Sequence, residues 1–470
     1  MFEFSSRLKT ISYVLILIGA ISVGFSFFAG GSDHHDEASH GEGEHTTTEA
    51  HHSPAASHVH GHDAMPKTDD FSYHKGASRA IPKNNHFYTS PDAEHDAEHA
   101  HHQEQNKPWA NLLVNSFFAL AIGLGALFFM ALQYAAQVGW TVVLLRVLEG
   151  ITSFIWVPGL VIFVIIVTGW FHLGGNHVYH WMAEGIMTPG SENYDSIIAG
   201  KEGYLNGPFF TIRSIIYLAG WIGAAFLLRK MSLKMEQSGV DYNRNWAKMR
   251  NVGAGFLVFF AVTSSMSAWD WIMSIDTHWF STLFGWYVFA TIFVSSLTAL
   301  MMVVLYLKGK GYLPEVNKSH IHDIAKFMFA FSIFWTYLWF SQYMLIWYSN
   351  IPEEVTYYMM RFDEYKALFF TMVALNFVFP VTILMSRDSK RNRGFIFTAG
   401  IIILFGHWLD IFIMIMPGSV GASGSVTLIN IGTLLGFVGL FILVVFNTIE
   451  KAPLMIKNHP MFVESKHFHI

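Results

Sequence analysis

Three small groups of ionisable residues lie where an apolar chain tolerates charge least. The stretch SAWDWIMSIDTHWFSTLFGWY, Ser267 to Tyr287, sets Asp270 between Trp269 and Trp271 near the end of an apolar run, then adds Asp276 and His278. Counting back three residues and then four more gives Ser267 and Thr263, and counting forward four gives Ser274. One helix face is therefore a stripe of hydroxyls ending at a carboxylate, which can carry water and protons. The plainer reading has the hydroxyls bonding their own backbone carbonyls or gluing helices together; it accounts for the hydroxyls better than for the Asp. In GHWLD, His407 and Asp410 share a face three residues apart, so the carboxylate can tune the imidazole for proton relay, or the pair can simply lock two helices. A tetrahedral metal site needs about four ligands, and no other apolar run offers a matching pair. Arg146 and Glu149 repeat the spacing with Ser153 a turn on. Arg146 alone can snorkel to an interface, whereas Glu149 is deeper.

These groups are carried on an unusually apolar chain. Of 470 residues 52% are hydrophobic, 16% aromatic and only 13% charged, against about a quarter charged in ordinary soluble chains. Apolar blocks of about 20 residues, enough to cross a bilayer, fall near 10–30, 109–134, 141–170, 208–229, 250–275, 280–307, 322–348, 364–386, 394–417 and 425–449. The expected class is an all-α polytopic membrane protein with about ten transmembrane helices. One set of loops holds Arg229, Lys230, Lys234, Arg244, Lys248 and Arg250, then Lys308, Lys310 and Lys318, then Arg387, Lys390, Arg391 and Arg393; the alternate short loops are nearly bare. The positive-inside rule makes the rich set cytoplasmic, which puts both termini in the cytoplasm and requires an even number of spans. Asp270, Asp410 and Arg213 then lie toward the outer end, and Arg146 and Glu149 toward the inner one. Gln342, Tyr343, Trp347, Tyr348 and Asn350 sit near the outer face, Trp347 and Tyr348 as an aromatic interface belt. Arg7 and Lys9 before the first run resemble a signal peptide, but no A-x-A site follows, so it reads as a retained helix.

Residues 31–108 form one outer segment rich in His, among them His34, His35, His40, His45, His51, His52, His58, His60, His62, His95, His99, His101 and His102. It lacks the apolar content to bury a core and reads as an extended, solvated linker; metal capture is the sharper reading, but no pair repeats at ligand spacing. Phe71, Tyr73, Phe87 and Tyr88, with Arg79 and Lys83, read as a docking stretch. With no cysteine the chain can hold no disulfide or iron–sulfur cluster. Only His407 is deep in a span, too few imidazoles for a haem or a haem–copper centre, so no metal centre of its own is expected. The formal charge of -5 says little about partners, because the acidic residues concentrate in one segment, and no nucleic-acid partner is expected.

Three segments, SAWDWIMSIDTHWFSTLFGWYVFA, YLWFSQYMLIWYSNIPEE and GHWLDIFIMIMP, resemble hallmark segments of the F subunit of bacterial alternative complex III, and the resemblance covers roughly residues 109–450. That family passes electrons from quinol to a cytochrome or a terminal oxidase, and belongs to the superfamily of polysulfide and nitrite reductase membrane subunits. The resemblance implies two four-helix bundles plus two flanking helices: a first helix in 1–30, the outer segment 31–108, bundles in 109–275 and 276–417, and a tenth helix with a cytoplasmic tail in 418–470. It also implies the bacterial cytoplasmic membrane, a C-type quinol-binding membrane subunit, an iron–sulfur subunit and multihaem cytochrome subunits as partners, and a haem-copper oxidase as acceptor. Haem c and iron–sulfur clusters would sit in those partners, with quinol or menaquinol as the diffusible substrate.

The expected function is therefore that of a subunit without redox centres, supplying a proton path or a quinone-sized pocket. Asp270, His407, Asp410, Ser267, Thr263 and Ser274 are the outer proton-path candidates, and Arg146 and Glu149 the inner ones; Arg213, Gln342, Tyr343, Asp276 and His278 are the quinone-pocket candidates. On this reading Asp270→Asn lowers proton translocation more than assembly. A scaffold bridging the redox subunits is the rival from another class. A metal or solute transporter is the third; it asks for paired broken helices at mid-depth in both halves, and Pro158 and Pro380 lack flanking ligands.

Overall fold

The structure is a computed structural model and describes residues 2–31, 93–237 and 239–469. The described residues form helices and no strand. In chain order these are α1 (Ser6–Gly31), α2 (Ala93–Ala135), α3 (Leu145–Thr152), α4 (Trp156–Trp170), α5 (Ser196–Ala199), α6 (Gly207–Lys234), α7 (Tyr242–Trp271), α8 (Phe284–Gly309), α9 (Lys318–Ser349), α10 (Pro352–Asp363), α11 (Lys366–Val373), α12 (Phe379–Leu384), α13 (Arg393–Val420), α14 (Leu428–Glu450) and α15 (Phe462–Lys466). They make ten segments long and apolar enough to cross a membrane, from Ser6–Phe28 to Leu428–Glu450. The chain is an all-α polytopic membrane protein.

Two of the ten segments are interrupted. The third, Val142–Trp170, breaks at 153–155 between α3 and α4. The eighth runs through α11, a π-turn over Ala374–Val378 and α12, where Pro380 sits at the start of the last piece. A proline removes one helical hydrogen bond and crowds the preceding turn, and a π-turn absorbs that mismatch. The two breaks are thus in different halves, as a transporter would require, but among the described residues no three His, Asp or Glu groups come together to hold a metal ion.

The end of the outer segment expected over 31–108 is helical, because α2 begins at Ala93, ahead of the apolar stretch Gln103–Ala135. Ala, Glu, Gln and Lys dominate 93–107, and such helix formers extend a helix already nucleated by the span that follows. The histidines from His34 to His62 and the stretch Phe71 to Tyr88 lie outside the described residues. Of His95, His99, His101 and His102 only the backbone is described.

Small residues set the closest helix approach. Gly432 and Gly436 on α14 face Ser22 and Gly19 on α1, and a Cβ on Gly436 would come 2.7 Å from the Gly19 Cα. This is the small-xxx-small contact that brings backbones together in lipid, where hydrophobic burial drives little helix association. Toward the middle of the chain, α8 packs against α7, α9 and α13, and α13 packs against α11 and α12. Residues 103–135 of α2 are largely enclosed, with Phe128 on the rings of Phe260, Phe289 and Phe293.

The two ends of the helices differ. At the Lys- and Arg-rich end the tail folds back: Ser465 donates to the Trp140 carbonyl, Asn317 donates to the Phe468 carbonyl and Asn458 to the Met235 carbonyl. At the opposite end residues 171–206 form a cap, with the buried Tyr179 donating to the Trp271 carbonyl and Lys201 donating to the Thr277 carbonyl.

Candidate functional site

Asp270 is fully buried in the last turn of α7, and its carboxylate is saturated. Arg213 of α6 grips it with two parallel bonds, Nε to Oδ2 at 2.9 Å and Nη2 to Oδ1 at 2.9 Å, and the Tyr217 hydroxyl donates to Oδ2 at 2.9 Å. The guanidinium lies 4.0 Å from the Tyr204 ring centre and 4.2 Å from that of Phe209, and it donates its last bond to the Tyr204 carbonyl. A bidentate Arg–carboxylate fork is among the strongest and most directional ion pairs available. Trp271 belongs to the core: it is fully buried, bonds Ser214 Oγ at 2.9 Å and packs edge-on to Trp221 and Tyr217. The flanking cap, 171–206, encloses a tryptophan that a bare helix end would leave at the lipid headgroups.

The hydroxyl stripe does not continue from this carboxylate. Thr263 donates to the Phe259 carbonyl and accepts from Trp221 Nε1, Ser267 donates to the Ser264 carbonyl, and Ser274 donates to the Asp270 carbonyl. Each proton is committed to local backbone, the behaviour of hydroxyls that stabilise or bend a helix.

Asp410 has different surroundings. It is fully buried on α13 and takes bonds from neutral groups on two other helices: the Tyr287 hydroxyl, Thr291 Oγ1 at 2.6 Å and Trp335 Nε1 at 2.9 Å. Its one nearby basic group is His407, whose Nδ1 lies 3.9 Å from Oδ2. That is too long for a hydrogen bond and short enough for a small side-chain rotation to close. The His407 ring meets Trp335 edge-on at 5.6 Å, and neither ring nitrogen has a hydrogen-bond partner among the described residues. The pair can hold one proton in two ways, as carboxylate with imidazolium or as carboxyl with neutral imidazole, and the cluster is neutral overall in both. Moving the proton between them therefore adds no net buried charge.

The Arg146–Glu149 pair is also formed, with Nη1 to Oε2 at 2.7 Å on α3. Arg229 of α6 lies 3.5 Å from the same Glu149 oxygen, Glu236 lies 3.7 Å from Arg146, and Arg146 donates to the Ser232 carbonyl. Two cations and two carboxylates make a neutral network at the Lys- and Arg-rich end, with Arg146 and Glu149 buried and Arg229 and Glu236 partly exposed. Glu149 Oε1 has no hydrogen-bond partner among the described residues.

The five quinone-pocket candidates are not brought together. Arg213 is held by Asp270. Asp276 faces Arg361 at 3.5 Å. His278 bonds Asp195 at 2.6 Å; burial works against the Asp195 charge, but the Ile198 N–H, His278 and the Ile197 N–H outweigh it and hold that carboxyl below its ordinary range. Tyr343 lies in an aromatic stack with Trp339, Tyr358 and Phe362. Gln342 lines a cleft of about 200 Å³ with Phe280, Ser281, Ile346, Ser349 and Glu354. Pockets that enclose whole small-molecule ligands run to roughly 300–1,000 Å³, so this cleft has room for a headgroup fragment at most.

Sequence reasoning missed several of the working partners. Arg361 was visible only as a stray charge, yet it is buried, stacked 3.3 Å from the Tyr357 ring centre, and its Nε donates to the Ile413 carbonyl at 3.1 Å. Pro417 has no N–H to offer that carbonyl four residues earlier. Pro417 in its apolar run, which frees the carbonyl four residues earlier, was the available signal. Tyr204, Tyr217, Tyr287, Thr291, Trp335 and Arg229 gave none, because each lies on another helix or loop from the residue it serves.

Fold and site together define a polytopic α-helical membrane protein with a locked ion pair near one helix end, a buried Asp–His pair within the spans, and a charged network toward the other end. No family model matches the chain, and no curated protein matches it.

Proposed function

We propose that the chain is an integral membrane subunit of a quinol-oxidising respiratory complex of the alternative complex III type, in a bacterial cytoplasmic membrane, and that it contributes a proton path rather than a redox centre. The observation that carries the proton role is the Asp410–His407 cluster: a buried acid and base, neutral donors around them, and no arginine or lysine paired to the carboxylate among the described residues. Oxidising a quinol releases two protons, and a pair that can keep one on either of two buried sites while staying neutral overall suits their relay. The assignment to this complex rests on the three segments that resemble its F subunit and on the loop charges that set both termini on the cytoplasmic side. Asp270, saturated by Arg213 and Tyr217, serves structure in this account, and Asp410 takes the role that the sequence pattern offered to it.

Quinol or menaquinol would bind mainly on a C-type partner subunit, with haem c and iron–sulfur clusters on peripheral subunits and a haem-copper oxidase as acceptor. The engagement of Arg213, Asp276 and His278 in ion pairs also favours a second reading, in which the chain is a scaffold bridging those subunits. The test is purification of the native complex through a tag on this chain. Haem- and iron–sulfur-bearing subunits with quinol-to-acceptor electron transfer are expected to come with it. Recovery of the chain free of redox subunits, with unchanged quinol oxidation in membranes lacking it, would overturn the assignment. A quinone photolabel confined to the partner, together with full proton coupling in Glu149 and His407 variants, would select the scaffold.

A further inference from the structure

One turn from Asp410 toward the Lys- and Arg-rich end, buried polar atoms without partners accumulate. Ser295 follows Thr291 by four residues on α8, and Ser332 precedes Trp335 by three on α9. Thr291 and Trp335 are themselves in contact, Nε1 to Oγ1 at 3.1 Å, and both bond Asp410. Because α8 and α9 run antiparallel, both serines are displaced the same way along the spans, and so is His407 relative to Asp410 on α13. The fourth residue is Asn376, at the centre of the π-turn in the eighth segment. Its amide oxygen lies against Gly406, the neighbour of His407, so closely that any side chain on Gly406 would collide with it.

All four side chains are buried: Ser295, Ser332, Asn376 and His407 each have no exposed surface. Six of their polar atoms lack a hydrogen-bond partner among the described residues, namely both nitrogens of His407, both amide atoms of Asn376, and the two serine oxygens. A buried polar atom left unpaired costs about 1–3 kcal/mol, so six in one region of one core is far above what a dry core sustains. Buried waters make about three hydrogen bonds each to such atoms, and roughly two would satisfy the set. The π-turn is a second, independent sign, since a helix gives up regular bonding there and such turns concentrate at functional sites.

We propose that these four residues line a small water-filled chamber beside His407, and that it extends the Asp410 cluster into a proton wire aimed at the Lys- and Arg-rich end. Its ligand is water. A proton on the Asp410 carboxyl passes to His407 Nδ1, leaving carboxylate and imidazolium; the imidazolium then releases its Nε2 proton to chamber water, becoming neutral imidazole. The pair then carries one negative charge until Asp410 takes up the next proton from the opposite side, and no electron moves. The wire's use in proton coupling rests on the function proposed above, but the chamber itself does not.

X-ray radiolytic hydroxyl labelling of the purified protein reads the chamber directly, because radicals formed from buried water oxidise the side chains beside it. His407 and Trp335 are expected to label several-fold faster than Trp221, which is equally buried with its Nε1 bonded to Thr263. Asn376→Leu should bring them to the Trp221 level with little change in the unfolding midpoint; if that variant does not fold, Ser332→Val replaces it. Labelling of His407 and Trp335 no faster than Trp221, or unaffected by either variant, overturns the chamber. Rapid labelling of the native chain that the variants abolish, with proton coupling unchanged in them, keeps the chamber and overturns the wire, while failure of the chain to join a redox complex leaves the labelling result standing and removes only the functional assignment.

Discussion

Replacing Asp270 by Asn separates a structural ion pair from a proton relay. The substitution leaves the Arg213 guanidinium buried against Tyr204 and Phe209 with its counter-charge gone. A carboxamide can accept at one oxygen only, so one arm of the fork loses its acceptor and presents an N–H to the new NH₂ group. Removing one partner of a buried pair costs about 3–5 kcal/mol, whereas replacing both by apolar groups of similar volume is close to neutral. At 1.4 kcal/mol per factor of ten, the single variant should shift the folding equilibrium by roughly 100- to 4,000-fold. The assay is denaturant unfolding of the detergent-purified protein, with Asp270→Asn, Arg213→Met and the double variant Arg213→Met/Asp270→Leu compared. Each single variant should unfold well before the native chain, and the double variant should recover most of the loss. A stable Asp270→Asn, or a double variant no better than the worse single, would refute the structural assignment. A stable Asp270→Asn that lost proton translocation would restore the reading drawn from the hydroxyl stripe.

Gly436→Val forces methyl groups onto the Gly19 backbone, and should cost at least the roughly 1–3 kcal/mol of core overpacking and splay α1 from α14. A disulfide between Ser22→Cys and Gly432→Cys, possible to read because the chain has no other cysteine, should then form in lower yield. Arg361→Met removes the donor to the Ile413 carbonyl freed by Pro417; a lost bond to a charged group costs about 1.5–3 kcal/mol, seen as an earlier unfolding midpoint that Arg361→Lys restores only in part. His459 in the tail is buried, and that burial pushes it from 6.5 down to about 4. The unfolded chain takes up this proton as pH drops below about 6.5, so the fold loses stability between there and about pH 4, by up to roughly 3 kcal/mol. His459→Gln should flatten the dependence of the unfolding midpoint over that window.

The spans were legible because a bilayer imposes length and apolarity on every crossing, so Ser6–Phe28 and Leu428–Glu450 differ by only a few residues from blocks read off the sequence. Two site pairs were legible for a similar reason: His407–Asp410 and Arg146–Glu149 are local, and helical spacing alone puts each on one face. What could not be read were contacts between helices. Arg213 and Asp270 lie 57 residues apart and Tyr287 and Asp410 lie 123 apart, and their meeting depends on how each helix is rotated about its axis. Spans that are apolar all round carry little face periodicity from which to infer that rotation. The break at 153–155 was silent, since Ser, Phe and Ile are ordinary residues in a span, whereas that at Ala374–Val378 had its signal in Pro380, whose effect on the preceding turn the residue pattern did not reveal. Asp270 was overread because a charge in an apolar run marks a site without revealing whether its partner is an arginine or a proton.

The central claim is that protons pass through Asp410. The most direct measurement is the number of protons moved per electron in vesicles containing the purified complex, with the native chain and with Asp410→Asn. The amide keeps the bonds from Tyr287, Thr291 or Trp335 that its oxygen can accept, and it removes the exchangeable proton. The account predicts a lower proton-to-electron ratio in a complex that still assembles and still oxidises quinol. An unchanged ratio in a fully assembled Asp410→Asn complex would contradict it.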